Sequence, residues 1–94
     1  MKSFDWNDEK NALLRETRGV SFDDVVFCIE QGLLLGEFPH PNKAKYPGQH
    51  VFVVEIDGYA YLVPFVESDD VIFLKTIIPS RKATRDHMGG RHEA

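Results

Sequence analysis

Ninety-four residues, 43% of them hydrophobic and 28% charged, suit one small globular domain and exclude wholesale disorder; size scaling buries roughly 65% of such a chain's surface, enough for one core. No apolar run reaches the ~20 residues of a membrane-spanning helix, the opening residues have no signal-peptide pattern, and Cys28, the single cysteine, precludes an internal disulfide or a multi-cysteine zinc site. The net charge of −4 argues against general affinity for nucleic acid, and the chain reads as a cytoplasmic single domain over 1–94 that needs no metal or other cofactor.

Residues 2–6 read as a short first strand. Asn7 then stands before Asp8 and Glu9, an N-cap followed by acids at the positive end of a helix dipole. That helix should run to about Arg18, where basic residues and Gly19 give the stop. A second helix opens at Ser21, with Asp24 at the capping-box position and Val20 and Val25 at the two staple positions. Phe22, Val25, Val26 and Ile29 give it one apolar face, and Gln31-Gly32 ends it.

After Gly32 the period changes and 33–38 reads as a strand. The stretch 40–49 is polar, carries Pro41, Pro47 and Gly48, and must be a loop. Strands over 51–57 and 59–66 meet at Asp57-Gly58, a strong signal for a tight hairpin. Pro64 lacks an N–H, so a bulge or an edge is expected there. A last strand should cover 71–78 and close at Pro79. Ser80 can then cap a short helix over 81–87, before Gly89-Gly90 releases a frayed tail of about 88–94. The expected fold class is α+β. Two helices cover one face of a twisted antiparallel sheet, in the order β-α-α-β-β-β-β, and the other face is partly free for function.

Three stretches resemble a known family. Phe4-Asp5-Trp6-Asn7-Asp8-Glu9-Lys10 is similar to the opening F-x-W-D-x-x-K of the BrnT-type toxins of bacterial toxin–antitoxin systems. Arg18-Gly19-Val20-Ser21-Phe22-Asp23-Asp24 resembles their H-G-V-S-F-E-E helix boundary, with arginine where histidine is common. Ile77-Ile78-Pro79-Ser80-Arg81-Lys82-Ala83-Thr84 resembles their closing I-I-S-A-R-K-A-T, with Pro-Ser in place of Ser-Ala. The resemblance implies a RelE-like fold and a metal-independent endoribonuclease that cleaves RNA and inhibits translation. It also implies a cognate antitoxin encoded next door, which binds the toxin and carries it to operator DNA through its own DNA-binding part. The chain departs from the family's commonly basic or neutral charge, and its 40–49 loop is less charged than the family's.

Metal-free RNA cleavage needs a base for the 2′-hydroxyl proton, cations for the phosphate, stabilisation of the developing charge and an acid for the leaving oxygen. Charge is unevenly spread here. Residues 1–38 hold eight acids and four bases, whereas 75–92 hold five bases (Lys75, Arg81, Lys82, Arg85, Arg91) and one acid, Asp86. Strand alternation puts Lys75 in a row with Val71, Phe73 and Ile77, and Arg81 and Arg85 share a helix face. Lys75, Arg81 and Arg85 are the catalytic cations in this reading, with Lys82 as an RNA contact; arginine's planar fork suits phosphate. The proton carrier is one of His40, His50 or His87. Tyr46, on the long loop, is a further proton-transfer candidate and RNA contact, and Tyr59 and Tyr61 share a strand face from which aromatics can stack bases. Against each of these stands an ordinary structural role, and for Cys28 a core position is the better reading. The four histidines lack metal spacing, and no glycine-rich phosphate loop or hydrolase elbow occurs. Two alternatives stay open: a non-catalytic protein-interaction module with the same fold, and a simple RNA binder.

Overall fold

The computed structural model describes residues 2–92, the last three by backbone alone. Strand β1 (Ser3–Trp6) leads into helix α1 (Asp8–Arg18) and helix α2 (Phe22–Glu30). Strands β2 (Leu34–Pro39), β3 (Gln49–Ile56), β4 (Tyr59–Glu67), β5 (Val71–Leu74) and β6 (Ile78–Pro79) follow, and helix α3 (Arg81–His92) comes last. This is a small α+β domain of three helices and one mixed sheet.

The local signals in the first half act as expected. Asn7 accepts from the Lys10 N–H at 2.9 Å, and Gly19 closes α1 with a left-handed φ of 71° that a side chain would strain. At α2 the capping box is complete: Ser21 Oγ accepts from the Asp24 N–H and the Asp24 carboxylate from the Ser21 N–H. Asp57 and Gly58 both take positive φ, 53° and 76°, and turn β3 into β4 with no loss of register.

The sheet departs from the expected antiparallel meander in three ways. Its order is β1-β5-β4-β3-β2, and β1 runs parallel to β5, Phe4 lying beside Ile72. The strand expected over 71–78 is broken into β5 and β6, both on β4. Pro64 supplies the reason. It pairs with Val51 in unbroken register, so there is no bulge, and its carbonyl accepts from the Lys75 N–H at 2.8 Å on the other side. A strand residue points N–H and C=O the same way, so the donor that proline lacks would have faced β5, and the ladder fails there. The third departure is α3. Met88, fully buried against Val53 and Ala60, holds a helix that runs on through Gly89 and Gly90 to His92. Residues 88–92 therefore belong to α3, and 93–94, the rest of the expected tail, lie outside the described residues.

Two cores result. One lies under α1 and α2, where Leu14, Phe22, Val25 and Cys28 meet Phe52, Val54, Val63, Phe65, Leu74 and Ile77. Phe52 and Phe65 stack within it, with ring centroids 3.9 Å apart. The second, smaller core is on the opposite face, where Ala83 and Met88 of α3 cover Val53 and Ala60, with Leu35 and Leu62 beside them. The face expected to be partly free is thus partly roofed by α3. No helix among the described residues is long and apolar enough to cross a membrane.

Candidate functional site

Helix α3 carries most of the basic side chains singled out by the sequence. Its start is fixed: Ser80 Oγ accepts from the Ala83 N–H at 3.0 Å, and the Ser80 N–H donates to the Ala60 carbonyl, also at 3.0 Å. Thr84 Oγ1 ties the first turn to the sheet by accepting from the Ala60 N–H at 2.9 Å. With Ala83 and Met88 turned inward, Arg81, Lys82 and Arg85 are exposed. Lys82 Nζ donates to Asp86 Oδ2 at 2.8 Å, one helical turn on. That hydrogen bond, aided by the charges of Arg85 and His87, holds the Asp86 carboxyl below the usual range.

Between α3 and the sheet lies an open groove of about 160 Å³, lined by Phe38, Val53, Leu62, Ser80, Lys82, Ala83, Asp86 and His87. Phe38 stands at its rim on β2, the outermost strand, and keeps 36% of its surface exposed. His87 lies against Gly36 of the same strand, where a methyl group would come within 3.3 Å of its Cε1. Glycine is what lets the imidazole sit this close.

The other candidates are dispersed. Lys75 follows the end of β5 with Nζ 5.5 Å from the Phe73 ring centroid; neither it nor Arg81 or Arg85 lines the groove. Its expected row with Ile77 is wrong, because the chain leaves the ladder after Leu74 and Ile77 turns into the α1–α2 core. Arg18 fixes that turn by donating to the Ile77 carbonyl. His50 lies beyond the Phe52–Phe65 stack on the α1–α2 face, its ring 5.9 Å from Phe65 and its Nδ1 3.7 Å from a Glu37 carboxylate oxygen. His40 and Tyr46 pack on each other, centroids 4.3 Å apart, and His40 Nδ1 accepts from the Asn42 N–H. Both therefore stabilise their own loop. Tyr61 packs against the α1–α2 core and meets Tyr59 edge-on, so this pair lies on the core-facing side of β4 rather than on an open stacking face. Cys28 is buried, and burial together with Asp24, Asp57 and Glu55 pushes its thiol pKa up, away from a nucleophile. Among the described residues, no group of three or more His, Cys, Asp or Glu side chains could hold a metal ion.

His87 lines the groove together with the basic Lys82. Phe38 and Asp86 of that groove were not singled out. Gly36, a glycine inside an apolar strand, is the signal that could have marked close approach there. Compared with models of protein families, with curated proteins and with solved structures, the chain matches none.

Proposed function

We propose that the chain is the toxin of a type II toxin–antitoxin pair, a RelE-like, metal-independent endoribonuclease. The observation that carries this reading is α3: it exposes Arg81, Lys82 and Arg85, and its Lys82 and His87 line the groove, on a chain that is acidic as a whole. Such a helix offers a polyanion a local positive surface. In this reading Arg81 and Arg85 hold the scissile phosphate, and His87 takes the 2′-hydroxyl proton. The 2′-oxygen then attacks phosphorus, the bond to the 5′-oxygen breaks, and that oxygen takes a proton from water. A 2′,3′-cyclic phosphate and a 5′-hydroxyl end result. Lys75, outside the groove, serves as a further phosphate contact; His40, packed on Tyr46, and His50, beside Phe65, have no part.

The antitoxin encoded by the adjacent gene would cover α3, and operator DNA would be reached only through it. Inducible expression tests the reading. The chain should arrest growth, co-expression of the neighbouring gene should relieve the arrest, and Arg81→Ala should remove it, since one preorganised donor is worth roughly 3–4 kcal/mol of transition-state stabilisation. If Arg81, Lys82 and Arg85 all meet phosphates, log affinity for single-stranded RNA should fall with log salt at a slope of about −2. A folded Arg81→Ala protein that still arrests growth would overturn the assignment.

A second reading, a non-catalytic interaction module, is favoured by the dispersal of the candidates: Lys75, Arg81 and Arg85 do not line the groove that holds His87, and Lys82 is already engaged by Asp86. It expects partner binding with no RNA turnover.

A further inference from the structure

The groove under α3 points to a ligand more specific than a polyanion. We infer that it binds one unpaired base of a single-stranded RNA, with Phe38 as the stacking surface and Asp86 as the acceptor that favours guanine. This rests on the RNA reading above.

Size comes first. At about 160 Å³ the groove is smaller than the ~300–1,000 Å³ of ordinary small-molecule sites, a size that suits a single ring system. Shape and chemistry come next. Val53 and Leu62 give an apolar floor, and Phe38 presents an exposed aromatic ring at the rim of an edge strand, where a second ring can lie against it. The opposite wall is polar, with Asp86 and His87 on consecutive positions of α3.

The distribution of charge then decides what enters. A carboxylate in the groove wall repels a phosphate, while Arg81 and Arg85, which lie outside the groove, attract one. The base is therefore inside and the backbone outside, along the solvent side of α3. One oxygen of Asp86 is held by Lys82 at 2.8 Å, but a carboxylate offers about four lone-pair sites, so acceptor capacity remains. A base with amino and imino donors satisfies it, and guanine presents two such donors side by side on its Watson–Crick edge. An apolar side chain from a protein partner would desolvate Asp86 and Lys82 and return no hydrogen bond, which disfavours an apolar peptide anchor as the occupant.

The probe is a set of fluorescent heptanucleotides, all 2′-O-methyl so that the attacking oxygen is blocked, with guanine, adenine or uracil at the centre of a uridine background. Binding to the full chain is read by anisotropy. The guanine probe should bind about tenfold tighter than the uridine probe, the worth of one bidentate base contact. Phe38→Leu should weaken all three by about tenfold, whereas Phe38→Tyr should stay within about twofold of wild type, which separates stacking from loss of fold. Asp86→Ala should erase the preference for guanine without weakening the uridine probe. If Phe38→Leu and Asp86→Ala bind like wild type, the groove assignment is overturned and the RNA reading stands. If Phe38→Leu instead loses binding to the neighbouring gene's protein and keeps RNA binding, the groove is a protein dock and the inference is likewise overturned. A wild-type chain with no affinity for any probe, at low salt, overturns both.

Discussion

Replacing Gly36 by alanine tests the seat of His87 without touching His87. The new methyl would lie 3.3 Å from the imidazole Cε1, a contact tight enough that the ring must give by a few tenths of an ångström. Gly36 has no positive φ, so alanine is not strained there. Removing glycine's extra unfolded-state freedom favours the strand by roughly 0.5–1 kcal/mol, and the methyl adds at most about 0.8 kcal/mol of burial. His87 is exposed on its outer side and can move, so urea unfolding should place Gly36→Ala within about 1 kcal/mol of wild type. Function should respond more than stability. On the proposed ribonuclease reading, where a 1 Å misplacement of a reacting group costs about 10²-fold, a few tenths of an ångström should slow RNA cleavage about three- to tenfold. The direct readout is the ring Cε1–H resonance of His87 in a proton–carbon correlation spectrum. It should shift while those of His40, packed on Tyr46, and His50, on the other face, stay in place. An unmoved His87 resonance, or a stability loss above about 2 kcal/mol, would refute the packing on which this reasoning depends.

Three further outcomes follow from the described contacts. Asn11 is buried and accepts from the N–H of the fully buried Phe22 at 2.7 Å; Asn11→Ala orphans that donor and should cost about 1–3 kcal/mol in urea unfolding followed by Trp6 fluorescence, Trp6 being stacked on Phe22. A loss under about 0.5 kcal/mol would mean that another acceptor serves the donor. Cys28, its thiol pKa raised by burial and nearby carboxylates, should react with a thiol reagent at pH 8 at least about tenfold more slowly in the native chain than in urea; equal rates would contradict the burial. Asp86 titrates below the usual carboxylate range because Lys82 donates to it, so its contribution is present above an unfolded pKa of about 3.9 and is lost as pH falls through the lower folded value. Carboxyl chemical shifts should show this midpoint rising toward the ordinary value in Lys82→Met, and an unchanged midpoint would remove the pair.

What the sequence made legible is what neighbours in the chain decide. Ser21 with Asp24, Asn7 with Lys10, and Asp57-Gly58 are contacts within three residues, and each appears as read. Pairing of β1 with β5 joins residues about seventy apart, and the four residues of β1 carry no pattern that distinguishes parallel from antiparallel. The continuation of α3 through Gly89 and Gly90 runs against helix propensity by roughly 1 kcal/mol per glycine. Burial of Met88 on the sheet offsets that, and no local rule announces it. At the site, the exposure of α3's bases was readable from spacing. Phe38 was not, because the run 33–38 is nearly all apolar and alternation cannot say which side chain stays outside.

The break after Leu74 is the step from which the arrangement of charge follows. Alternation through an unbroken strand would have kept Lys75 and Ile77 in one row leading to Arg81. Pro64 cannot donate to that ladder, so the chain turns, Ile77 drops into the α1–α2 core, and Arg18 secures its carbonyl. The strand that re-forms as β6 lies on Tyr61 and Leu62, and this launches α3 across the other face of the sheet. One event therefore parts Ile77 from the row of Lys75 and brings His87 to Gly36 and Phe38. It also bears on how the proposed polyanion binding fits a net negative charge. A ligand at α3 feels chiefly the charges within a Debye length of about 8–10 Å. There the sequence from 81 to 87 supplies three bases and one acid, the acid being already paired with Lys82. Seven of the eight acids of the first 38 residues lie on β1, α1 and α2, and salt screens them from a ligand on α3. A net negative protein can thus hold a polyanion on one helix, provided that helix stands alone on its face, and the break at 75–77 is what puts it there.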